Sequence, residues 1–392
     1  MNKTNIKLRF IIILMLLTSL VSGLTAGVIV YTSYNKNTGI NYNTIQNDAA
    51  LKQFLEVYSS ITTDYYEDIN KTEMLQAAID SMLKYLDDKY TSLLDSKQTS
   101  LLNDSLEGEY EGIGVAILDH KITEVFEDSP AEKAGLKADD IITMINGEDV
   151  SGVSSDDLVS LIKNSKDSKA RITVLREGVS LEYELTVSKL FVPAIRSKII
   201  DDTNIGYIRL ATFSNTVSKQ VERALDKFDG KISALIIDLR INSGGYLNAA
   251  EDVSNLFLEK GKVIYSLKTK NESNTVKDVT ERKTTYPIVV LVDENTASAA
   301  EILAAALKDS YGATLVGVKT YGKGKVQQVI SLIDGSMAKY TTGKWYTPSG
   351  INIDKNGIEP DYVVELELRK DESGKVVDVI DTQLEKAIEL LK

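Results

Sequence analysis

From Phe10 to Tyr31 the chain carries no charged residue, and Lys3, Lys7 and Arg9 precede that run. As a helix rising ~1.5 Å per residue it reaches roughly 33 Å, enough to cross a bilayer core of ~30 Å. The basic flank predicts a cytoplasmic N-terminus with the remainder outside. A cleaved signal peptide is the alternative reading, since Ser22, Gly23 and Ala26 are small. No clean A-x-A site follows a short apolar region, and the run continues through Val30, so a signal anchor is favoured. Residues 32–47 are polar and Asn-rich, as in a linker. From Ala49 to about Leu102, apolar positions recur three and four apart, as in Leu51, Leu55, Tyr58 and Ile61, and the spacing predicts helices.

A break at Gly108 and Gly112 opens a stretch of short alternating segments. Strands are predicted at Gly114–Leu118, Ile122–Phe126, Ile141–Ile145, Ala170–Arg176 and Leu181–Ser188, with one amphipathic helix at Ser155–Lys163. Beyond Phe191 strands and helices interleave. Ile205–Leu210, Ile232–Leu239, Ile288–Asp293 and Thr314–Val318 read as strands, and Val217, Val221, Leu225 and Phe228 line a helix. Helices follow at Leu247–Leu258 and Ser298–Lys308, alternation returns at Val326–Ile333, and the tail Asp381–Leu391 is helical. Strands alternating with helices predict an α/β core of βαβ units.

Composition narrows the chemistry. The protein has 392 residues, 43% hydrophobic and 26% charged, with a net charge of −12, which fits two or three globular domains. The acidic balance argues against nucleic-acid binding. There is no cysteine and one histidine, His120. Disulfides, a cysteine nucleophile, a thiolate zinc site and a zinc site on paired histidines are all excluded, and no cofactor or metal is expected. A base other than histidine is expected if the protein is an enzyme.

Four segments carry candidate chemistry. In Gly112-Ile113-Gly114-Val115, glycines flank a loop whose amides can receive a peptide carboxylate, while the next strand pairs with the peptide. The turn Asn242-Ser243-Gly244-Gly245 follows a buried strand and precedes a helix, so its amides can face a developing anion. Ser298, between Ala297 and Ala299, stands at another strand-to-helix junction; the plain alternative is a helix cap with Glu301 completing a capping box. In Gly322-Lys323-Gly324-Lys325-Val326-Gln327, spacing along a strand puts Lys323 and Gln327 on one face. Burial can depress a lysine pKa from ~10.4 far enough for a neutral amine to act as a base; a surface turn is the alternative. Gly317, Gly322 and Lys323 mimic a P-loop, but Gly324 replaces the Ser or Thr that would hold Mg²⁺.

With Asp128-Ser129-Pro130-Ala131, Ala134-Gly135-Leu136 and Ile145-Asn146-Gly147 downstream of the carboxylate loop, residues 106–190 resemble PDZ domains of exported bacterial proteases. Together with Trp345-Tyr346-Thr347-Pro348-Ser349-Gly350 and Gly357-Ile358-Glu359-Pro360-Asp361, the chain resembles the carboxy-terminal processing peptidases over roughly residues 50–370. The resemblance implies a multidomain α+β protein: anchor at 1–31, linker and helical region at 32–105, PDZ domain at 106–190, ClpP/crotonase-like serine protease core at 191–370 and helical tail at 371–392. It implies Ser298 as nucleophile, Lys323 as general base and Gln327 as the residue orienting it. Gly244, Gly245 and Ala299 correspond to the oxyanion hole, and Gly112, Ile113, Gly114 and Val115 to the site for a peptide C-terminus. Ser243 stands where the family commonly has Pro, which removes no donor. Implied partners are exported or membrane proteins with exposed apolar C-termini, the membrane itself, and a second copy joined through helices such as Leu51–Ile61 and Leu384–Leu391. A membrane-anchored PDZ scaffold and a crotonase-type acyl-CoA enzyme are the competing readings.

Overall fold

A computed structural model of the chain describes residues 47–281, 285–370 and 376–392. The candidate anchor Phe10–Tyr31 lies outside them, and among the described residues no helix is long and apolar enough to cross a membrane. Two compact units divide within the second helix, at Ser81/Met82.

In the first unit, Asp48 caps helix α1 (Ala49–Asp64) by accepting the Leu51 N–H at 3.0 Å. No residue of α1 is buried, and Phe54, Leu55 and Val57 stand about half exposed. Helix α2 (Lys71–Lys84) follows.

The second unit begins with a feature the helical spacing does not predict. A short strand, β1 (Ser92–Leu94), precedes helix α3 (Ser96–Glu107), whose capping box pairs Asp95 with Gln98. Next comes a ribbon of β2 (Glu109–Gly112) and β9 (Ser188–Phe191), which brackets the expected PDZ domain. Inside it lie β3 (Val115–Leu118), β4 (Lys121–Val125), α4 (Pro130–Ala134), β5 (Ile141–Ile145), β6 (Glu148–Asp149), α5 (Ser155–Lys163), β7 (Lys169–Arg176) and β8 (Val179–Thr186). Their sheet runs β3-β4-β5-β7-β8, with β6 paired to β5, so β3 is an edge. Ile122, Ile142, Leu158, Ile172 and Val174 fill a core of its own. Asp140, fully buried, pairs with Arg176 at 2.6 Å. His120 lies here as well, its Nε2–H donating to the Val150 carbonyl at 2.8 Å, a structural contact far along the chain from Ser298.

The α/β core follows as β10 (Ile195–Ile199), β11 (Ile205–Leu210), α6 (Val217–Phe228), β12 (Ala234–Asp238), α7 (Leu247–Ser254), β13 (Val263–Thr269), β14 (Ser273–Lys277), β15 (Ile288–Val292), α8 (Ala299–Ala306) and β16 (Thr314–Gly317). Then come β17 (Lys325–Ser331), β18 (Met337–Tyr346), β19 (Tyr362–Val363), β20 (Glu367–Lys370), β21 (Val376–Ile380) and α9 (Thr382–Leu390). One sheet is ordered β10-β11-β12-β15-β16-β19; its members are parallel from β11 onward, as buried βαβ units require. The other is ordered β1-β18-β13-β14 with β17 against β18. Helices α6, α7 and α8 cover one face of the parallel sheet, and every residue of α8 is buried.

Helix α9 corrects one expectation. Leu384, Ile388, Leu390 and Leu391 pack with buried Ala387 against Ile236, Val289 and Val316, on the other face of that sheet. Arg240 ties it down by donating to Asp381 and Gln383 as well as to Asp238. Its apolar stripe is therefore spent inside its own chain and is not free to join a second copy.

Candidate active site

The C-terminal ends of β12, β15 and β16 deliver the three catalytic candidate segments to one place, as expected where parallel strands run into helix N-termini. The first turn, after β12, is held by Asn242. This fully buried side chain donates from Nδ2 to the Leu210 carbonyl at 2.9 Å and accepts the Gly244 N–H on Oδ1 at 2.9 Å. Gly244 (φ 104°) and Gly245 (φ 148°) occupy conformations that L side chains rarely adopt. A Cβ on Gly244 would lie 2.9 Å from the Ser298 Cβ and 3.1 Å from the Ala299 nitrogen. One expectation changes here: the Gly244 N–H is committed to Asn242, so Gly244 contributes close approach and not a free donor.

The second turn, after β15, carries Ser298 at φ 57°, ψ −119°, a strained conformation for a residue with a Cβ and one that costs ~1–3 kcal/mol. It resembles a nucleophile elbow, in which a sharp strand-to-helix turn exposes a serine hydroxyl. Small Ala297 and Ala299 flank it, both buried. The turn is fixed by long-range contacts: Ala297 N–H donates to the Asn242 carbonyl at 2.9 Å, Thr296 Oγ1 to the Leu239 carbonyl at 2.9 Å, and Ile241 N–H to Asp293 at 3.0 Å. The Ser298 turn and the Gly244–Gly245 turn are thus one hydrogen-bonded unit.

The third segment, after β16, is a loop and not the strand its spacing suggests. Lys323 lies ahead of β17, and at the Val326–Gln327 step the pairing skips Thr342 of β18. Strand periodicity therefore does not by itself place Lys323 relative to Gln327, because the strand begins at Lys325. Gln327 Nε2 is buried without a hydrogen-bond partner. The Lys323 carbonyl accepts from buried Trp345 Nε1 at 2.9 Å. Burial pushes the Lys323 amine below the ordinary lysine range; the nearby Lys339 charge acts in the same direction and Glu301 opposes it.

Glu301 joins the segments. Fully buried, its Oε2 accepts the Ser298 N–H and the Lys323 N–H, each at 2.9 Å, while Oε1 accepts Thr320 Oγ1 at 2.6 Å and the Gly322 N–H at 2.8 Å. The sequence shows this residue as a helix-capping partner, which it is; its three contacts on the lysine loop depend on tertiary structure and leave no local signal. Burial pushes its carboxyl upward, and the four donors pull back.

In the expected peptide site, Ile113 is buried, and its carbonyl accepts the Ala131 N–H at 2.9 Å. Gly112 ends β2, Val115 begins the edge strand β3, and Gly114 turns between them at φ 91°. A Cβ on Gly114 would lie 2.1 Å from the Ser129 Cβ, so no other residue fits without displacing backbone.

A sheet of parallel strands presenting a strained serine, a half-buried lysine and an open glycine amide, beside a strand-addition module, defines a PDZ-bearing serine peptidase. Family models agree: residues 204–364 match peptidase family S41, residues 121–176 a PDZ domain, and residues 27–98 the N-terminal domain of activating protease CtpB. The chain is 37% identical to carboxy-terminal processing protease CtpA of Bacillus subtilis, over 81% of this chain and 70% of that one. It is 35% identical to CtpB of the same organism, over 80% of this chain and 68% of that one. The solved photosystem II D1 C-terminal processing protease is 26% identical, covers 82% of this chain and 95% of its own, and superposes with a TM-score of 0.46. The chain belongs to the carboxy-terminal processing proteases.

Proposed function

We propose that this serine peptidase cleaves exported or membrane proteins near their C-termini, with Ser298 as nucleophile and Lys323 as general base. The observation that carries the reading is the shared Glu301 oxygen: one buried carboxylate binds the backbone of both residues and so fixes their separation. In this scheme neutral Lys323 takes the Ser298 proton as the hydroxyl attacks the scissile carbonyl, then returns it to the leaving amine; water resolves the acyl-enzyme by the reverse route. The oxyanion is held by the amides of Gly245 and Ala299 at the N-terminus of α8. Gln327, whose buried amide nitrogen lacks a partner, is the candidate for orienting the base or the peptide.

A base depressed by burial sets the pH dependence. The acid limb of kcat/KM is expected to have its midpoint below the 10.5 of an ordinary lysine. A midpoint at or above that value would remove Lys323 from the role.

The PDZ loop at Gly112–Val115 receives the free C-terminus of the substrate, and β3, an edge strand, pairs with the chain behind it. Gly114→Ala is expected to weaken binding of a free-acid apolar peptide by at least about tenfold, since it meets both a steric and a conformational barrier. Amidating the same peptide is expected to have a comparable effect on the unaltered protein. Equal affinity for free-acid and amidated peptides would contradict C-terminal capture. Contacts that join this module to the core include Arg196 of β10 with Glu124 of β4, and Lys227 of α6 with Glu127. They support a reading in which peptide occupancy is sensed by the core.

The uncharged run Phe10–Tyr31 supports membrane anchoring with the catalytic region outside the cytoplasm. The exposed apolar residues of α1 support pairing with a second copy through that helix.

A further inference from the structure

We propose that Tyr90 is a positioning residue for the base: its ring covers Lys323 and keeps that amine away from water. The proposal rests on the assignment of Lys323 above. Tyr90 lies ahead of the S41 match, in a segment pinned onto the peptidase core. Strand β1 pairs with β18 in the register Ser92↔Lys339. Asp88 accepts Lys325 Nζ at 2.8 Å, Thr91 Oγ1 at 3.0 Å and the Thr341 hydroxyl, and Thr91 Oγ1 accepts the Thr341 N–H at 3.3 Å. These donors hold the Asp88 carboxyl down to about 2 despite its burial, so the clasp is ionised and closed throughout the neutral range.

Between the clasp and β1, the Tyr90 ring centroid lies 5.3 Å from Lys323 Nζ, 5.7 Å from Lys325 Nζ and 4.8 Å from Lys89 Nζ. The three amines differ. Lys325 is paired with Asp88, and Lys89 donates to the Tyr321 hydroxyl at 3.1 Å; both are pushed upward by those partners. Lys323 alone of the three is pushed downward, chiefly by burial. An aromatic face attracts an ammonium, and a dry cover disfavours one. Because burial is the larger influence on Lys323, removing the ring should make the amine easier to protonate. Lys339 from β18 and Glu301 from α8 act on Lys323 directly, while Asp88, Lys89, Lys325 from β17 and Asp354 surround the ring, and all of these charges remain when Tyr90 is changed. The Tyr90 hydroxyl interacts with Lys89, so Tyr90→Phe, which drops the hydroxyl and keeps the ring over Lys323, separates the cover from that contact.

The test is the pH profile of kcat/KM on a peptide substrate for the full chain carrying Tyr90→Ala and Tyr90→Phe. Tyr90→Ala is expected to move the acid-limb midpoint upward by about one pH unit, lowering activity about tenfold at neutral pH and restoring it as pH rises. Tyr90→Phe is expected to keep the midpoint of the unaltered protein. Tyr90→Gln carries the expectation of Tyr90→Ala should that variant not fold. A uniform loss with an unmoved midpoint, or a Tyr90→Phe profile matching Tyr90→Ala, would overturn the proposal. Lys323→Ala, assayed alongside, separates the two levels: an active Lys323→Ala protein removes the base itself, whereas an inactive one with an unmoved Tyr90→Ala midpoint removes only the cover.

Discussion

Lys323→Ala is expected to lower kcat/KM by about 10²–10⁴-fold at neutral pH, the contribution of a positioned general base. No rise in pH should restore it, because alanine leaves no amine at that position to deprotonate. The fold should survive. The contacts Lys323 makes with Glu301 and Trp345 go through its backbone N–H and carbonyl, which alanine keeps. The side chain that is lost is a half-buried amine, whose desolvation opposes folding, so the melting temperature is expected to hold or rise slightly. Circular dichroism and thermal melting of the variant check the first point, and initial rates across pH check the second. Recovery of the rate in alkaline buffer would mean that Lys323 steers the chemistry without performing the proton transfer.

Glu301→Gln is the second large effect, and it acts at a distance from the bond being cut. Glutamine keeps the shape and leaves one oxygen for two of the four donors, but sets an amide group against the other pair. If the nitrogen takes the Oε2 position, the Ser298 and Lys323 N–H groups lose their common acceptor. A misplacement of about 1 Å between reacting groups costs about 10²-fold, so kcat is expected to fall by that order with KM little changed. Glu301→Ala goes further by stranding donors in a buried site. At ~1–3 kcal/mol for each buried group without a partner, it is expected to destabilise the protein by at least about 3 kcal/mol. A Glu301→Gln enzyme with unaltered kcat would show that nucleophile and base are positioned independently.

Much of this arrangement is legible in the chain, and the parts that are not share a cause. The helix Ser155–Lys163 and the strand Ile205–Leu210 coincide with their patterns, because the helix carries its own cap and the strand, packed on both faces, is a near-continuous apolar run. Ser298 and the paired glycines are marked by small residues at strand-to-helix turns, and Lys323 by the glycines on either side of it. What escaped is what distant segments make together. Strand β1 is three residues long and exists because β18 accepts it, so a helical reading passes over it. Lys323 sits in a loop fixed by Glu301 and Trp345 ahead of the strand that carries Gln327, so counting by twos along the strand does not reach it. Asn242 looks like any turn residue until its side chain is seen to bridge Leu210 and Gly244. The tail helix is amphipathic, as its pattern predicts, but the pattern could not say that its partner surface is the sheet of its own chain.

The central claim, that Ser298 is a nucleophile activated by Lys323, is tested most directly by trapping the covalent intermediate. The full chain is treated with a serine-directed acylating probe at neutral pH, and the adduct is located by peptide mass mapping. The account predicts one stoichiometric adduct on Ser298, absent from Ser298→Ala and formed far more slowly in Lys323→Ala. Labelling at another residue, or labelling of Ser298 at an unchanged rate without Lys323, would contradict it.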